Sequence, residues 1–141
     1  MKTLLLSIRP RYSSQVFGRT KLVELRRVRP RVQRGDRVIV YEPMPTCALV
    51  GHFRVGDVVA LEPKRLWTRF RSVAGIAIEE YEAYFAGAAL AYAICVENPR
   101  RFSRPVPLAE VRELIRGYTP PQGYHYLDAS RPKDAAILSV V

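Results

Sequence analysis

Cysteine and histidine are scarce in this chain of 141 residues, which contains two of each. Two cysteines cannot build a disulfide scaffold, and no Cys/His spacing resembles a metal site. We therefore expect no metal and no cofactor. Cys47 and Cys95 each lie in an apolar, strand-like stretch. Buried reduced thiols are the expected state, with a disulfide between the two as the alternative.

Long hydrophobic runs are also absent. The apolar run that begins at Leu4 ends at Ser7, which is too short for a signal peptide. The longest uncharged run, residues 83–96, is shorter than a membrane span and contains Gly87. These absences predict a soluble cytoplasmic protein.

Acidic residues are few, with 13 Asp and Glu against 23 Lys and Arg, so the net charge is +10. Residues 1–40 alone hold eleven basic and two acidic residues, a net charge of +9. Nineteen of the 23 cations are arginines, whose planar guanidinium groups suit phosphate. A hydrophobic share of 48% excludes a disordered basic tail. The charge indicates a polyanionic partner or, as the alternative, an arginine-rich solvated surface.

Short strands punctuated by glycine turns alternate with helical patterns. Strands are predicted over residues 4–8, 21–27, 37–41, 47–53, 58–61 and 90–97, and helices over 10–17, 63–71, 77–86 and from 107. The dipeptide Gly56-Asp57 is predicted to be a turn, and the chain from Pro120 onward to be irregular. We expect one domain over residues 1–141, with 128–141 as a tail. Its predicted class is α+β, a small mixed or antiparallel β-barrel, closed or nearly closed, flanked by several short helices.

The most informative segment is residues 18–27. On a strand, Glu24 and Arg26 point the same way, and Lys21 lies near the strand start. A carboxylate between two cations could accept a base amino group or orient Lys21 as a proton carrier. The alternative is a structural ion pair on the barrel surface.

A basic loop follows this strand. Its arginines alternate with small or apolar residues and are Arg26, Arg27, Arg29, Arg31 and Arg34. In an extended conformation several would lie on one side and contact phosphates. The alternative is a solvated loop that keeps the protein soluble.

Aromatic residues outside this region have two interpretations. Trp67 and Phe70 could stack bases, but their helical spacing beside Leu66 favours a place in the core. Gln122 and Tyr124 could contact a base edge over the mouth of a cleft, or pin the end of the chain.

The sequence resembles the ASCH domain family of the PUA-like superfamily. The family signature is Gly-x-Lys-x-x-Glu-x-Arg; Lys21, Glu24 and Arg26 match it, whereas Gly18 stands one position too early. Barrel segments at 35–41, 50–58, 91–94 and 120–127 also fit the family. The resemblance implies a small RNA-binding β-barrel and a cleft beside it lined by the three signature residues.

The resemblance implies two kinds of activity. Some ASCH members bind nucleic acid or regulate transcription, whereas others are ribonucleases or hydrolyse the amide of acetylated cytidine. In the amidohydrolase branch the signature Lys works with a Thr and a Glu, which would place Lys21 and Glu80 in those roles. Glu24 stands where that Thr would fall, and this departure argues against amidohydrolase chemistry.

Three hypotheses follow. The first is an RNA-binding module, in which the basic loop contacts phosphates and the pocket around Lys21, Glu24 and Arg26 holds one base or nucleotide. The second is a small hydrolase acting on RNA or a modified nucleoside, with Lys21 moving a proton and Glu80 or Glu24 as general base. The third is a regulatory domain that binds proteins and no nucleic acid.

Overall fold

Six strands and five helices make up the computed structural model, which describes residues 1–141. The strands are β1 (Thr3–Ser7), β2 (Val23–Arg26), β3 (Arg37–Glu42), β4 (Ala48–Leu61), β5 (Ala91–Pro107) and β6 (Tyr124–Leu127). The helices are α1 (Pro10–Phe17), α2 (Pro63–Phe70), α3 (Ile78–Phe85), α4 (Leu108–Leu114) and α5 (Pro132–Leu138).

All six strands belong to one mixed sheet with the order β2-β5-β4-β3-β1-β6. β1 and β3 pair in parallel, and the other neighbours are antiparallel. The sheet curls into a half-barrel whose edge strands are β2 and β6. The predicted α+β class with short flanking helices is confirmed.

Alternation along the strands divides the core between the two faces of the sheet. Leu4 and Leu6 pack with Val38, Val40 and the α1 residue Val16 on one face. Leu5 of β1 and Ile39 of β3 point to the opposite face and pack beneath α4 and α5. A third cluster joins β2 and β5 to α2 and α3, and the predicted core residues Trp67 and Phe70 pack against it.

β4 corrects one sequence prediction. The predicted turn at Gly56-Asp57 is wrong, because β4 runs unbroken for 14 residues through both positions. A register shift between Val55 and Val58 absorbs the irregularity while β4 stays paired with β5. The partner β5 continues to Pro107, ten residues beyond the predicted end, because this pairing extends along the whole of β4.

The predicted irregular chain from Pro120 onward is also wrong. Tyr124–Leu127 form β6, which is antiparallel to β1. α5 follows, and its Ile137 is 1% exposed in the cluster beneath α4 and α5.

Cys47 and Cys95 are free thiols that are partly buried. The structure thus agrees with the expectation of reduced thiols and not with the alternative of a disulfide. None of the helices has the length and apolar character needed to cross a membrane.

Candidate functional site

A cleft of about 440 Å³ opens between α1, the strand β2 and α3, on the α1 face of the sheet. Five of the predicted site residues line it, namely Lys21, Glu24, Arg26, Glu80 and Gln122. Sequence analysis did not identify several other lining residues, among them Ser7, Arg9, Tyr12 and Tyr84. The structure therefore joins the signature residues to a set of polar and aromatic groups from distant parts of the chain.

Lys21 lies in the turn that leads from α1 into β2 and is only 4% exposed. Its backbone N–H donates to the Gln15 carbonyl at 3.1 Å, and its ammonium group donates to the Ala74 carbonyl. The ammonium also lies 5.3 Å from the centre of the Tyr12 ring. Burial lowers the pKa of Lys21, and the nearby Glu24 carboxylate partly opposes that shift. Lys21 is thus a fixed and poorly solvated cation.

The loop between α2 and α3 holds Lys21 in place. Gly75 has φ +65°, and a Cβ at this position would overlap Gln15 Oε1 and lie 3.2 Å from the Lys21 Cβ and Cγ atoms. Only glycine adopts this left-handed backbone conformation without strain and leaves the space next to Gln15 and Lys21 free. The conformation presents the carbonyl of the buried Ala74 to the Lys21 ammonium.

Glu24 extends from β2 into the cleft, with 11% of its side chain exposed. Arg26 Nε lies 3.6 Å from Glu24 Oε1, beyond hydrogen-bond distance for this pair. Burial raises the pKa of Glu24, while Arg26 and Lys21 act in the opposite direction. Arg26 Nε is buried and has no hydrogen-bond partner. The Glu24 carboxylate and the Arg26 guanidinium therefore lie side by side at the cleft, and the protein leaves the Arg26 Nε donor unsatisfied.

Glu80 is a carboxylate of a different kind. Tyr12 donates its hydroxyl to one oxygen and Arg11 donates to the other, each at 2.5 Å. These two hydrogen bonds lower the pKa of Glu80. A carboxylate that is stabilised in its charged form is a weak proton acceptor. Glu24 is accordingly the better placed of the two to act as a base.

The remaining predicted contacts divide between the cleft and other surfaces. The Ser7 N–H donates to the Gly123 carbonyl and the Ser7 hydroxyl to the Pro121 carbonyl, which holds Gln122 at the cleft. Tyr124 does not line the cleft; it packs against the core cluster beneath α1.

The basic loop is not uniform. Arg27 donates to the carbonyls of Tyr84 and Ala86 at the end of α3. Arg34 forms ion pairs with two carboxylates, Asp57 at 2.7 Å and Glu97 at 2.8 Å. The side chains of Arg29 and Arg31 are exposed and form no ion pair, and the same holds for Arg9 at the rim of the cleft. Arg9 directly precedes Pro10, the first residue of α1. The sequence pattern at Pro10 predicted the start of the helix but gave no sign that Arg9 lies at the cleft.

A curled mixed sheet with a Lys–Glu–Arg cleft at the start of β2 defines a class of small α+β domains. The family model of the ASCH domain matches residues 6–100, about two-thirds of the chain. This protein belongs to the ASCH domain family, as the sequence signature indicated.

Known relatives agree with this assignment. An ASCH domain-containing ribonuclease of Zymomonas mobilis is 25% identical over 126 residues, which cover 89% of this chain and 84% of the relative. The crystal structure of an ASCH protein from Zymomonas mobilis superposes with a TM-score of 0.88 at 24% identity, covering 99% of this chain and 95% of the other, and supports the fold. Ribosomal protein uL22 of Ureaplasma parvum is 27% identical over 127 residues, but this chain spans only 39% of its length.

Proposed function

We propose that this protein binds single-stranded RNA and holds one nucleotide in the cleft. The observation that carries the proposal is the pair formed by Glu24 and Arg26, which line the same cleft 3.6 Å apart while Arg26 Nε has no hydrogen-bond partner in the protein. An RNA-related role is consistent with the family and with a relative named as a ribonuclease. A volume of about 440 Å³ is in the usual range for a small-ligand site.

The pair favours bases that carry an amino group. Glu24 would accept from the exocyclic amine of cytosine or adenine, and the Arg26 guanidinium would donate to the ring nitrogen beside that amine. Uracil presents a carbonyl and a ring N–H at these two positions, so it would pair with both protein groups only after shifting by one position along its edge. The exposed ring of Tyr84 at the cleft offers a surface on which the base can stack.

Within the cleft rim and the basic loop, phosphate contacts would come from the exposed arginines whose side chains pair with no carboxylate and no carbonyl, which are Arg9, Arg29 and Arg31. Each phosphate that is neutralised contributes about −0.7 to the dependence of log affinity on log salt for single strands. Arg34 is a weaker candidate because two carboxylates already offset its charge.

Fluorescence anisotropy with labelled RNA oligomers tests base choice. Oligo-C is expected to bind more tightly than oligo-U of the same length, by about 5-fold to 150-fold if one hydrogen-bonded pair discriminates by about 1–3 kcal/mol. Glu24→Gln should reduce the ratio, because an amide can donate as well as accept. No binding of either oligomer at low salt would refute the proposal.

The salt dependence of the same binding tests the phosphate contacts. The variant Arg29→Gln/Arg31→Gln is expected to reduce the slope by up to about 1.4, the sum for two phosphates. Arg34→Gln is the matched control from the same loop, and a smaller change is expected for it. An unchanged slope in the double variant would exclude both arginines from the interface.

A second candidate function, cleavage of the bound RNA, is favoured by the ribonuclease relative and by the closeness of Glu24 and Lys21. Here the ribose and its phosphate, rather than the base, would lie against Glu24. Glu24 would remove the proton of the 2′-hydroxyl, and the 2′-oxygen would attack phosphorus. The bond from phosphorus to the 5′-oxygen would break as Lys21 donates a proton to that oxygen, leaving a 2′,3′-cyclic phosphate and a 5′-hydroxyl.

End-labelled RNA and its 2′-O-methyl analogue separate the two candidate functions. Cleavage requires the 2′-hydroxyl, so only the unmodified RNA should be cut, and Lys21→Met should abolish the reaction. Cleavage of the 2′-O-methyl RNA, or an equal rate in the Lys21 variant, would refute this chemistry. Binding of both RNAs without cleavage would leave the first function alone.

A further inference from the structure

A second basic cluster lies on the face of the sheet opposite the cleft. Phe53 and Val55 belong to the core beneath α1, so the intervening Arg54 points to the other face. Arg37 is placed in the same way, next to the buried Val38 on β3. The His52 ring stacks on Phe102, which packs against the core beneath α4 and α5.

Three strands bring like charges together in this cluster. Arg37 on β3 pairs directly with Arg54 on β4, and His52 on β4 pairs directly with Arg100 on β5. Like charges directly opposite each other destabilise a sheet. None of the three arginines forms an ion pair. Glu97 on β5 stands opposite Arg54, but its carboxylate pairs with Arg34 at 2.8 Å. The three arginines of the cluster therefore have no carboxylate of their own.

His52 has an unsatisfied polar atom beneath this surface. Its Nδ1 atom is buried and has no hydrogen-bond partner. Burial lowers the pKa of His52, and the charges of Arg37, Arg54 and Arg100 lower it further. The ring is consequently neutral near pH 7 and can donate one hydrogen bond to an anion without adding charge.

We propose that Arg37, His52, Arg54 and Arg100 form a phosphate-binding surface that is separate from the cleft. Guanidinium groups match the paired oxygens of a phosphate, and an oxyanion would offset the mutual repulsion of the arginines. The phosphate comes from an RNA backbone or from a free phosphorylated compound; both present the same oxyanion. In the first case RNA would contact both faces of the sheet.

The two histidines provide a direct reporter. NMR titration of the imidazole signals with pyrophosphate is expected to shift His52 and to raise its pKa, because a bound anion favours the protonated ring. His125 is the internal control: it lies on β6 with its Nε2 atom hydrogen-bonded to the Tyr118 hydroxyl at 3.1 Å. Its signals should stay in place. This measurement does not depend on whether the cleft binds or cleaves RNA.

A second arm uses an RNA oligomer without terminal phosphates. A shift of the His52 signal with both ligands would show that the site accepts either source of phosphate. A shift with RNA alone would assign the site to the RNA phosphate backbone. A shift with pyrophosphate alone would assign the site to free phosphorylated compounds. No shift with either ligand would overturn the proposal. The cleft variant Glu24→Gln should give the same His52 shifts with pyrophosphate, which separates this site from the proposed function.

Substitution of one exposed arginine tests the mechanism. Arg100→Gln is expected to weaken pyrophosphate binding about tenfold, since it removes one of the three guanidinium groups that would contact the phosphate. Arg104→Gln is the control, because Arg104 lies on the same strand but is paired with Glu110. Equal weakening by both variants would show only a general effect of charge and would refute the site.

Discussion

Replacing Gly75 by alanine tests how the loop between α2 and α3 holds Lys21. The left-handed backbone at this glycine costs about 1–2 kcal/mol for an alanine. The new Cβ would also overlap Gln15 Oε1, and forcing that side chain from its rotamer costs about 1 kcal/mol. We expect a total loss of about 2–3 kcal/mol in the free energy of unfolding.

Gly87→Ala is a matched control. Gly87 has φ +77°, but a Cβ there would meet nothing within 4 Å, so only the backbone cost of about 1–2 kcal/mol applies. Urea unfolding measures both variants. Because m values are about 1–3 kcal/mol per M, a loss of about 2–3 kcal/mol lowers the midpoint by about 0.7–3 M.

A double-mutant cycle isolates the contact. Gln15→Ala in the Gly75→Ala background removes the overlapping atom and should restore about 1 kcal/mol, a coupling within the usual range for neighbouring residues. RNA affinity should fall in Gly75→Ala, because Lys21 Cβ and Cγ must also move. Equal losses of stability in the Gly75 and Gly87 variants, with no coupling to Gln15, would refute this account of the loop.

Further predictions concern buried polar groups. Burial raises the pKa of Glu24 above its ordinary value of 4.5, so the free energy of unfolding should fall as pH rises from 4.5 and this buried carboxyl ionises. The urea midpoints at about pH 5 and pH 8 should therefore differ less in Glu24→Gln than in the parent protein. Burial lowers the pKa of Lys21, so stability should rise with pH between that lowered pKa and 10.5, and Lys21→Met should flatten this rise in urea titrations. Ser13→Ala removes the hydroxyl that donates to the buried Glu42 at 2.5 Å and should cost about 1–3 kcal/mol in urea unfolding. Burial raises the pKa of Tyr81 to about 12, so Tyr81→Phe should leave the tyrosinate absorbance near pH 11 unchanged; a lower absorbance would show that this hydroxyl ionises normally.

Local pattern was sufficient for part of the site. The period of two along β2 places Glu24 and Arg26 on one face, and the family signature adds Lys21. The structure brings these three residues to one cleft. Tyr12 and Tyr84 were missed because their approach depends on how α1 and α3 pack over the sheet, which no local period encodes.

The errors in the fold have a common physical cause. Gly56-Asp57 has the composition of a turn, yet pairing with β5 keeps the strand continuous there. Tyr124–Leu127 is too short to be read as a strand by itself, and it becomes one because β1 offers an edge with which it can pair. In both cases a tertiary partner decides the conformation that local propensity leaves open.

The position of β1 in the sheet has a consequence for the order of synthesis. Ser7 and Pro121 are joined by a hydrogen bond although they stand 114 positions apart. A ribosome adds about 5–20 residues per second, so several seconds pass between the synthesis of β1 and that of the segment that contains Gln122. During that interval one wall of the cleft is missing and one edge of β1 is unpaired. We expect a nascent chain to gain its ligand only when these last elements have been made, long after the signature residues have left the ribosome.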